Sequence, residues 1–520
     1  MYRIAGTVTN SITGEAISGA TLTLLAGQPR QMIQTTASDA DGHFALEPVV
    51  AAKYTLVGTR RGYLSASFDQ HEQFGSAIVT GEDQDTEHIP FRLDPEAMIR
   101  GIVTDDAGEP VSQANVLIMR RTKNGGLGEH LVKEISGVTD DTGLFEVWNA
   151  RPGTYFLAVM AHPWYAMHPF LTDPDEAANE QVREDVAALD VAYPVTYFSG
   201  STEEADAAPI LIASGDRAQA DVTLHAVPAV HLTIHSAQDN TGQQKFSRAP
   251  VVHQMIFGNQ DFPSFTRGRQ GPEGGVPAEF VDAVAPGHYS VSQLDPPRVV
   301  DIDATGSADI DLSTGTRVAS VEIKVRMADG SALPKALELN LISDNAVLRH
   351  LAARTFVDGK ARFDEVTPGK WFVAAESEGL ALAAVSIQSH DESRTDGRIV
   401  VKDQPLSVTM ALAEGKVNIE GFAKKNGKGE PGVMVILVTS DPEGNPDLFR
   451  RDQSDSDGSF LLKGVLPGEY KILAIEDGWD LDWARSEVFS RYLQGGTAVT
   501  VTGSSAASIR LNTPVTVQVR

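Results

Sequence analysis

The sequence contains no cysteine. That excludes disulfide staples, zinc–thiolate sites and cysteine nucleophiles. Basic side chains are the minority, 43 Lys and Arg against 70 Asp and Glu, for a formal net charge of −27. Such a chain repels phosphate backbones and anionic lipid, so no nucleic acid is expected as a partner, and solubility accounts for the acidity. Long apolar runs are missing as well. LALAAVSI, Leu380 to Ile387, is among the longest, short of the roughly 18–20 residues of a membrane span, so no transmembrane segment is expected. H-E-x-x-H, G-x-S-x-G and a Walker lysine are absent too, which removes the readiest routes to a peptidase, an α/β-hydrolase or a nucleotide-binding enzyme.

What is present is repetition. TDDTGLFEVWNARPGTYFL, Thr139 to Leu157, returns rewritten as SDSDGSFLLKGVLPGEYKIL, Ser454 to Leu473. From Gly143 to Tyr155 is 12 residues, and the same count separates Gly42 from Tyr54, Gly359 from Trp371 and Gly458 from Tyr470. A fifth copy, AEFVDAVAPGHYSV, keeps Pro286, Gly287 and Tyr289 without the Asp-Gly. Upstream of each lies an element such as GTVTNSITGEAISGATLTLL or GFAKKNGKGEPGVMVILV; its glycines Gly14 and Gly108 are 94 residues apart, and Gly330 and Gly429 are 99 apart. That pitch is too long for a solenoid and matches an array of small domains.

Each copy alternates apolar and polar residues over short runs, with β-branched side chains and Gly, Pro and Asp between them. That pattern predicts half-buried antiparallel strands. The fold class expected is all-β: about five Ig-like or transthyretin-like antiparallel β-sandwiches in tandem, with short helical insertions in the second and fifth. The boundaries expected are 1–95, 96–227 with an aromatic and helical insertion at 160–200, a divergent 228–315, 316–414 and 415–520. The linkers are short, so neighbouring domains should touch and form a bent rod.

The paired acids before each glycine could be a calcium loop or a hairpin bend. A loop of the EF-hand type needs oxygen ligands at positions 1, 3, 5 and 12 around a glycine at 6. With Gly458, Gly143 or Gly42 at position 6, position 12 is Gly464, Asn149 or Pro48. The bidentate acid is missing each time. A turn explains the same residues, with Asp bonding its own backbone and glycine taking φ > 0. Pro-Gly should then form a type II turn. No metal and no cofactor are expected.

The combination G-x-V-x-D/N, G-x-P-V/L, D-x-D-G-x-F and P-G-x-Y resembles the carboxypeptidase regulatory-like domain. The resemblance implies a seven-stranded, transthyretin-like sandwich of the carbohydrate-binding-like group. Copies two and five carry it most fully. Copy one has Ala51 and Ala52 for Pro-Gly, copy three lacks the Asp-Gly turn, and copy four lacks the opening Gly-x-Val. The domain accompanies a peptidase without performing catalysis, so the resemblance implies a non-enzyme. Bacterial tandem members are typically exported, which implies a periplasmic or cell-surface protein and a signal peptide removed ahead of Tyr2. Its work would be adhesive, scaffolding or carbohydrate-binding, with glycans, envelope proteins or further copies of itself as partners. The alternatives are an assembly subunit or an accessory to a peptidase or outer-membrane receptor.

Isopeptide chemistry, which related adhesin domains carry, needs a first-strand lysine where this chain has Val8 and Ala423, and an acid where it has Val159 and Ala474. His231 and His235 in HLTIH would lie about 13 Å apart on a strand and could not share an ion. KNGGLGEH, Lys123 to His130, reads as a hairpin tip, and FPSFTRGRQGPEGG, Phe262 to Gly275, as a locally basic loop.

Two insertions depart from the template. In Met160–Gly200, Asp173 and Pro174 predict the start of a helix with Ala178, Val182, Val186 and Leu189 on one face. Trp164, Tyr165, Phe170, Tyr193, Tyr197 and Phe198 cluster around it, with His162 and His168. In Gly478–Gly496, Trp479, Trp483, Phe489 and Tyr492 mix with Asp480, Asp482 and Arg485. Loop aromatics stack on sugars or anchor partners, or else pin an insertion to its own sandwich. The candidate contacts are Trp164, Tyr165, Tyr197, Phe198, Trp479 and Trp483.

Overall fold

In the first strand of the chain, Tyr2–Asn10, the side chains of Ile4 and Val8 are fully buried, while Arg3, Thr7 and Thr9 are more exposed. This strand lies between His43–Val49, antiparallel, and Ile89–Leu93, parallel. A facing sheet runs Gln31–Ala37, Thr21–Ala26, Lys53–Thr59, Ala66–Ser67. This is a computed structural model, and it describes the chain apart from residues 28, 125–127, 168–186, 238–249, 258, 265–266, 270–277, 345–349, 353–354, 391, 440–443, 484 and 504–506.

The same wiring recurs four more times. Ala97–Thr104, Val230–His235, Ala319–Met327 and Val417–Lys425 each lie beside an antiparallel strand and, on the other side, a parallel strand from the end of their own unit. Closing a unit by first-to-last pairing keeps its contacts internal. Accordingly, separate cores form from residues between Ile4 and Leu93, Ala97 and Leu224, Val230 and Leu312, Ala319 and Leu412, and Val417 and Val517. The chain is all-β, built of five tandem sandwiches.

Glycine in the opening Gly-x-Val has a steric cause. A Cβ on Gly6 would meet the Ile89 carbonyl oxygen at 2.0 Å, and one on Gly101 the Ala220 carbonyl oxygen at 2.1 Å. The last strand can approach this closely only where the first has no side chain.

The repeated acids make turns. Asp39 Oδ1 accepts the amides of Asp41 and His43, and Asp140 Oδ1 those of Thr142 and Leu144, at 2.8–2.9 Å. Gly42, Gly143, Gly359 and Gly458 follow with φ of 73–80°. Pro-Gly departs from expectation. Gly153 and Gly369 have φ of 156° and 153°, not the 80° of a type II turn. The motif instead serves the aromatic after it. The hydroxyls of Tyr54, Tyr155, Tyr289 and Tyr470 donate to the carbonyls of Val50, Arg151, Ala285 and Leu466, and the Trp371 indole N–H donates to Thr367, at 2.6–3.1 Å. Every bond reaches back four residues. The aromatic body fills the core, at 1–4% exposure, and the polar tip is satisfied at the sheet corner.

Two sheets are covered on their outer faces as well. In domain 5, Met434–Thr439 is buried throughout because residues from Leu481 to Tyr492, including the short helix Ser486–Phe489, lie over it. In domain 2, Leu117, Met119, Phe156 and Tyr197 pack against Ile256 and Phe257 of domain 3. In the domain 2 insertion, residues 168–186, which hold Asp173, Pro174, Ala178, Val182 and Val186 of the expected helix, lie outside the described residues.

Candidate functional site

Domain 1 meets domain 5, so the two ends of the array are in contact. Asp455 stands three residues before Gly458, where Asp39 and Asp140 stand before Gly42 and Gly143. Those two spend their carboxylates on their own turns. In domain 5 Asp457 does so instead, accepting the Ser459 amide at 2.9 Å. Asp455 is thereby released. Its carboxylate accepts the Ala77 amide at 2.8 Å and the Lys53 ammonium at 2.6 Å, both from domain 1. Next to it, Ser456 donates its amide to the Ala77 carbonyl and accepts the Val79 amide on its hydroxyl, each at 2.9 Å.

A second group of contacts lies along strand Arg450–Gln453. The Arg451 side chain is 9% exposed and pairs with both carboxylate oxygens of Glu72, at 2.7 and 3.1 Å. Its guanidinium sits between two rings, 4.3 Å from the Trp483 centroid and 5.2 Å from that of Phe74. Bidentate pairing and ring contact together fix a planar cation in orientation as well as position. His71 stacks on Trp479, with centroids 5.1 Å apart and planes at 6°, and its Nδ1 faces Gln453 Oε1 at 3.1 Å. Gln453 in turn donates to Ser76 Oγ at 2.9 Å and to the Asp69 carbonyl. Gln453 and Ser76 are each 1% exposed. Asp69 and Glu72 both hold φ of 51°, an uncommon conformation for residues with a side chain and one that the docked partner supports.

Burial raises the Asp455 carboxyl above the usual carboxylate range, with Lys53 opposing the shift. Desolvation also raises two acids of the same domain, Asp447 to about 7 and Asp452 to about 6. At the junction the side chains of the domain 5 partners, Arg451 and Asp455, are 9% and 14% exposed, while those of the domain 1 partners, Glu72 and Lys53, are 41% and 48% exposed. Removing a domain 1 partner therefore leaves a largely buried charge unpaired, which is costly. Its chemistry is recognition.

The six candidate contacts separate. Trp479 and Trp483 belong to this junction, so the partner they anchor is domain 1 of the same chain. Tyr197 does not present a face to solvent. At 4% exposure it is wedged 5.0 Å from Phe257 in the contact with domain 3. Phe198 packs against the domain 2 core, and Tyr193 is buried within it. Trp164 is 88% exposed and meets the half-buried Tyr165 edge-on at 5.8 Å. These rings do not share one platform. His162 is exposed, and Phe170 and His168 lie outside the described residues. His231 and His235, on one strand, reach different acids, Asp190 at 2.7 Å and Asp309 at 3.5 Å. Val8, Ala423, Val159 and Ala474 are fully buried core residues. The residues 125–127 of the hairpin tip and 270–277 of the basic loop lie outside the description. Lys53, Glu72, His71, Arg451 and Gln453 were not singled out by sequence. The available signal was the loop FDQHEQFGS, Phe68 to Ser76, which has no counterpart in the other copies.

A tandem array of transthyretin-like sandwiches, closed end to end, is the class of protein these features define. More narrowly, residues 3–93 match the model of the carboxypeptidase regulatory-like domain, so the chain carries such a domain at its N-terminus. Residues 412–495 match the second β-sandwich domain of the BOS complex subunit NOMO1-like family. The regulatory-like match falls on copy one, whose motif is reduced to Ala51-Ala52, yet whose Tyr54 keeps its bond to Val50. No curated protein matches the chain. Among solved structures it is similar to the Bacillus anthracis TIE protein, at 10% identity over 79% of this chain and 74% of that one, TM-score 0.18. It is similar to a streptococcal ancillary pilin, at 11% identity over 55% and 98%, TM-score 0.20. A third is the shaft pilin SpaA from Lactobacillus rhamnosus GG, at 10% identity over 44% and 97%, TM-score 0.21. At these scores the superpositions carry nothing about function.

Proposed function

We propose that this protein is a noncatalytic, exported scaffold of the cell envelope that holds five β-sandwiches in one fixed frame. The observation that carries the reading is the Arg451–Glu72 and Asp455–Lys53 junction. A chain of flexible beads has no use for ion pairs that join the largely buried Arg451 and Asp455 of its last domain to the first. A rigid platform does, because fixed relative positions let separate surfaces engage one partner at once, with avidity set by geometry. The regulatory-like domain at residues 3–93 supports a binding rather than a catalytic role. Adhesion to glycans or to envelope proteins is the task such a frame would serve.

Antibodies raised against the purified chain test the location. Labelling of intact cells, or of cells with only the outer envelope opened, is the expected result. Labelling confined to cells whose cytoplasm has been released would overturn the proposal.

A further inference from the structure

At the junction of domains 1 and 2 a cavity of about 370 Å³ is lined by Arg61, Gly62, Glu96, Met98, Trp148 and Arg217. Trp148 is out of place for its position. On strand Leu144–Ala150, Phe145 and Val147 point into the core, so Trp148 lies on the outer face, where alternation would put a polar residue. Five residues after the turn glycine, the other copies have Glu47, Asp364 and Lys463. Copy two alone of these four spends its largest aromatic there, 48% exposed.

Pairing places the other groups. Arg217 is the partner of Met98 in the parallel ladder with Ala97–Thr104. Trp148 lines the cavity from the antiparallel strand on the other side of Ala97–Thr104. Trp148, Met98 and Arg217 thus come from three adjacent strands. Domain 1 adds Arg61 and Gly62, held by the Glu96 amide donating to the Gly62 carbonyl at 3.0 Å. Neither the Arg61 nor the Arg217 side chain has a hydrogen bond or ion pair among the described residues. Two unpaired guanidinium groups beside one cavity stand out in a chain of net charge −27.

The chemistry selects a ligand class. An indole face accepts the C–H face of a pyranose. A guanidinium takes a carboxylate through two parallel hydrogen bonds. Glu96 can accept from sugar hydroxyls. A free phosphate would leave the indole unused, and a neutral sugar, though its hydroxyls can accept from guanidinium N–H groups, would leave both arginines without a charge partner. The volume suits one or two sugar residues, at the small end of ligand pockets. We infer that the cavity between domains 1 and 2 binds a uronic-acid residue of an anionic polysaccharide. This deepens the adhesive part of the function proposed above and rests on it for biological context.

Titration calorimetry of the whole chain with tri-galacturonate at low ionic strength tests the inference, with the methyl-esterified trisaccharide and a polyglutamate of equal charge as controls. Saturable binding of the acid is expected, at least tenfold weaker for the ester, for Trp148→Ala and for Arg217→Ala, and partly kept in Trp148→Phe. Arg61→Glu, on an exposed loop, reads the site independently should Trp148→Ala unsettle its strand. Absence of binding, equal binding of the ester, indifference to these variants, or equal binding of polyglutamate would each overturn it. A surface-located protein that ignores tri-galacturonate removes this inference alone, and a cytoplasmic one that binds it removes only the envelope reading.

Discussion

Tyr289 shows what one atom contributes in this protein. Its ring is 2% exposed, burial raises its hydroxyl above the usual phenol range, and the hydroxyl donates to Ala285 at 2.6 Å. Tyr289→Phe should therefore keep the packing and orphan one carbonyl, destabilising domain 3 by about 1–2 kcal/mol in a denaturant melt. Asp447 gives a pH signature. Its carboxyl is pushed up to about 7 by desolvation, which the Arg450 charge opposes. Between the ordinary carboxylate value and about 7 the folded state binds more protons than the unfolded state, so stability falls as pH rises through that window. Domain 5 should melt at higher temperature at pH 5 than at pH 8, and Asp447→Asn should flatten that slope in a calorimetric pH series. Asp452, pushed up to about 6, works in the same direction and should leave a residual slope below that pH.

Among the elements, the first strand of each unit decides closure, since it alone touches both the second antiparallel strand and the last parallel one. Gly101→Ala would drive a methyl against the Ala220 carbonyl, a backbone atom that cannot swing aside. The expected result is a displaced final strand. It would read out as lost amide protection at Ala220 and Leu224, whose N–H groups now donate to Arg100 and Thr104, while the strands of the facing sheet stay protected.

Over the whole molecule, the junction of domains 1 and 5 sets the shape. Arg451→Ala would leave Glu72 without its ion-pair partner and remove the cation between Phe74 and Trp483. The end domains should part, raising the radius of gyration in small-angle scattering while each sandwich keeps its strand signal in circular dichroism. Arg451→Glu with Glu72→Arg should recover part of the closure that either single change loses. An unchanged scattering curve for Arg451→Ala would show that the frame is held elsewhere. Because the Arg451 side chain is 9% exposed while that of Glu72 is 41% exposed, salt should screen the pair in part, and closure should weaken with rising ionic strength without being lost at moderate salt.

The sequence by itself determined the units and their geometry. Period-two alternation, the Asp-Gly turns and the spacing of 12 residues to a tyrosine or tryptophan are local constraints, and local constraints are written along the chain. Even there, the role of Pro-Gly needed coordinates, since the bond from Tyr155 to Arg151 depends on how a ring enters the core. The tertiary structure alone decided which aromatics are available. Trp164 and Tyr197 look alike in sequence, yet one is open and the other is wedged against domain 3. It also decided that Asp455, one acid among several in a repeated turn, reaches Lys53 across 402 positions of chain. The physical reason is that docking energy is gained between surfaces brought together only after each sandwich has closed, and no spacing within a repeat encodes which two faces will meet.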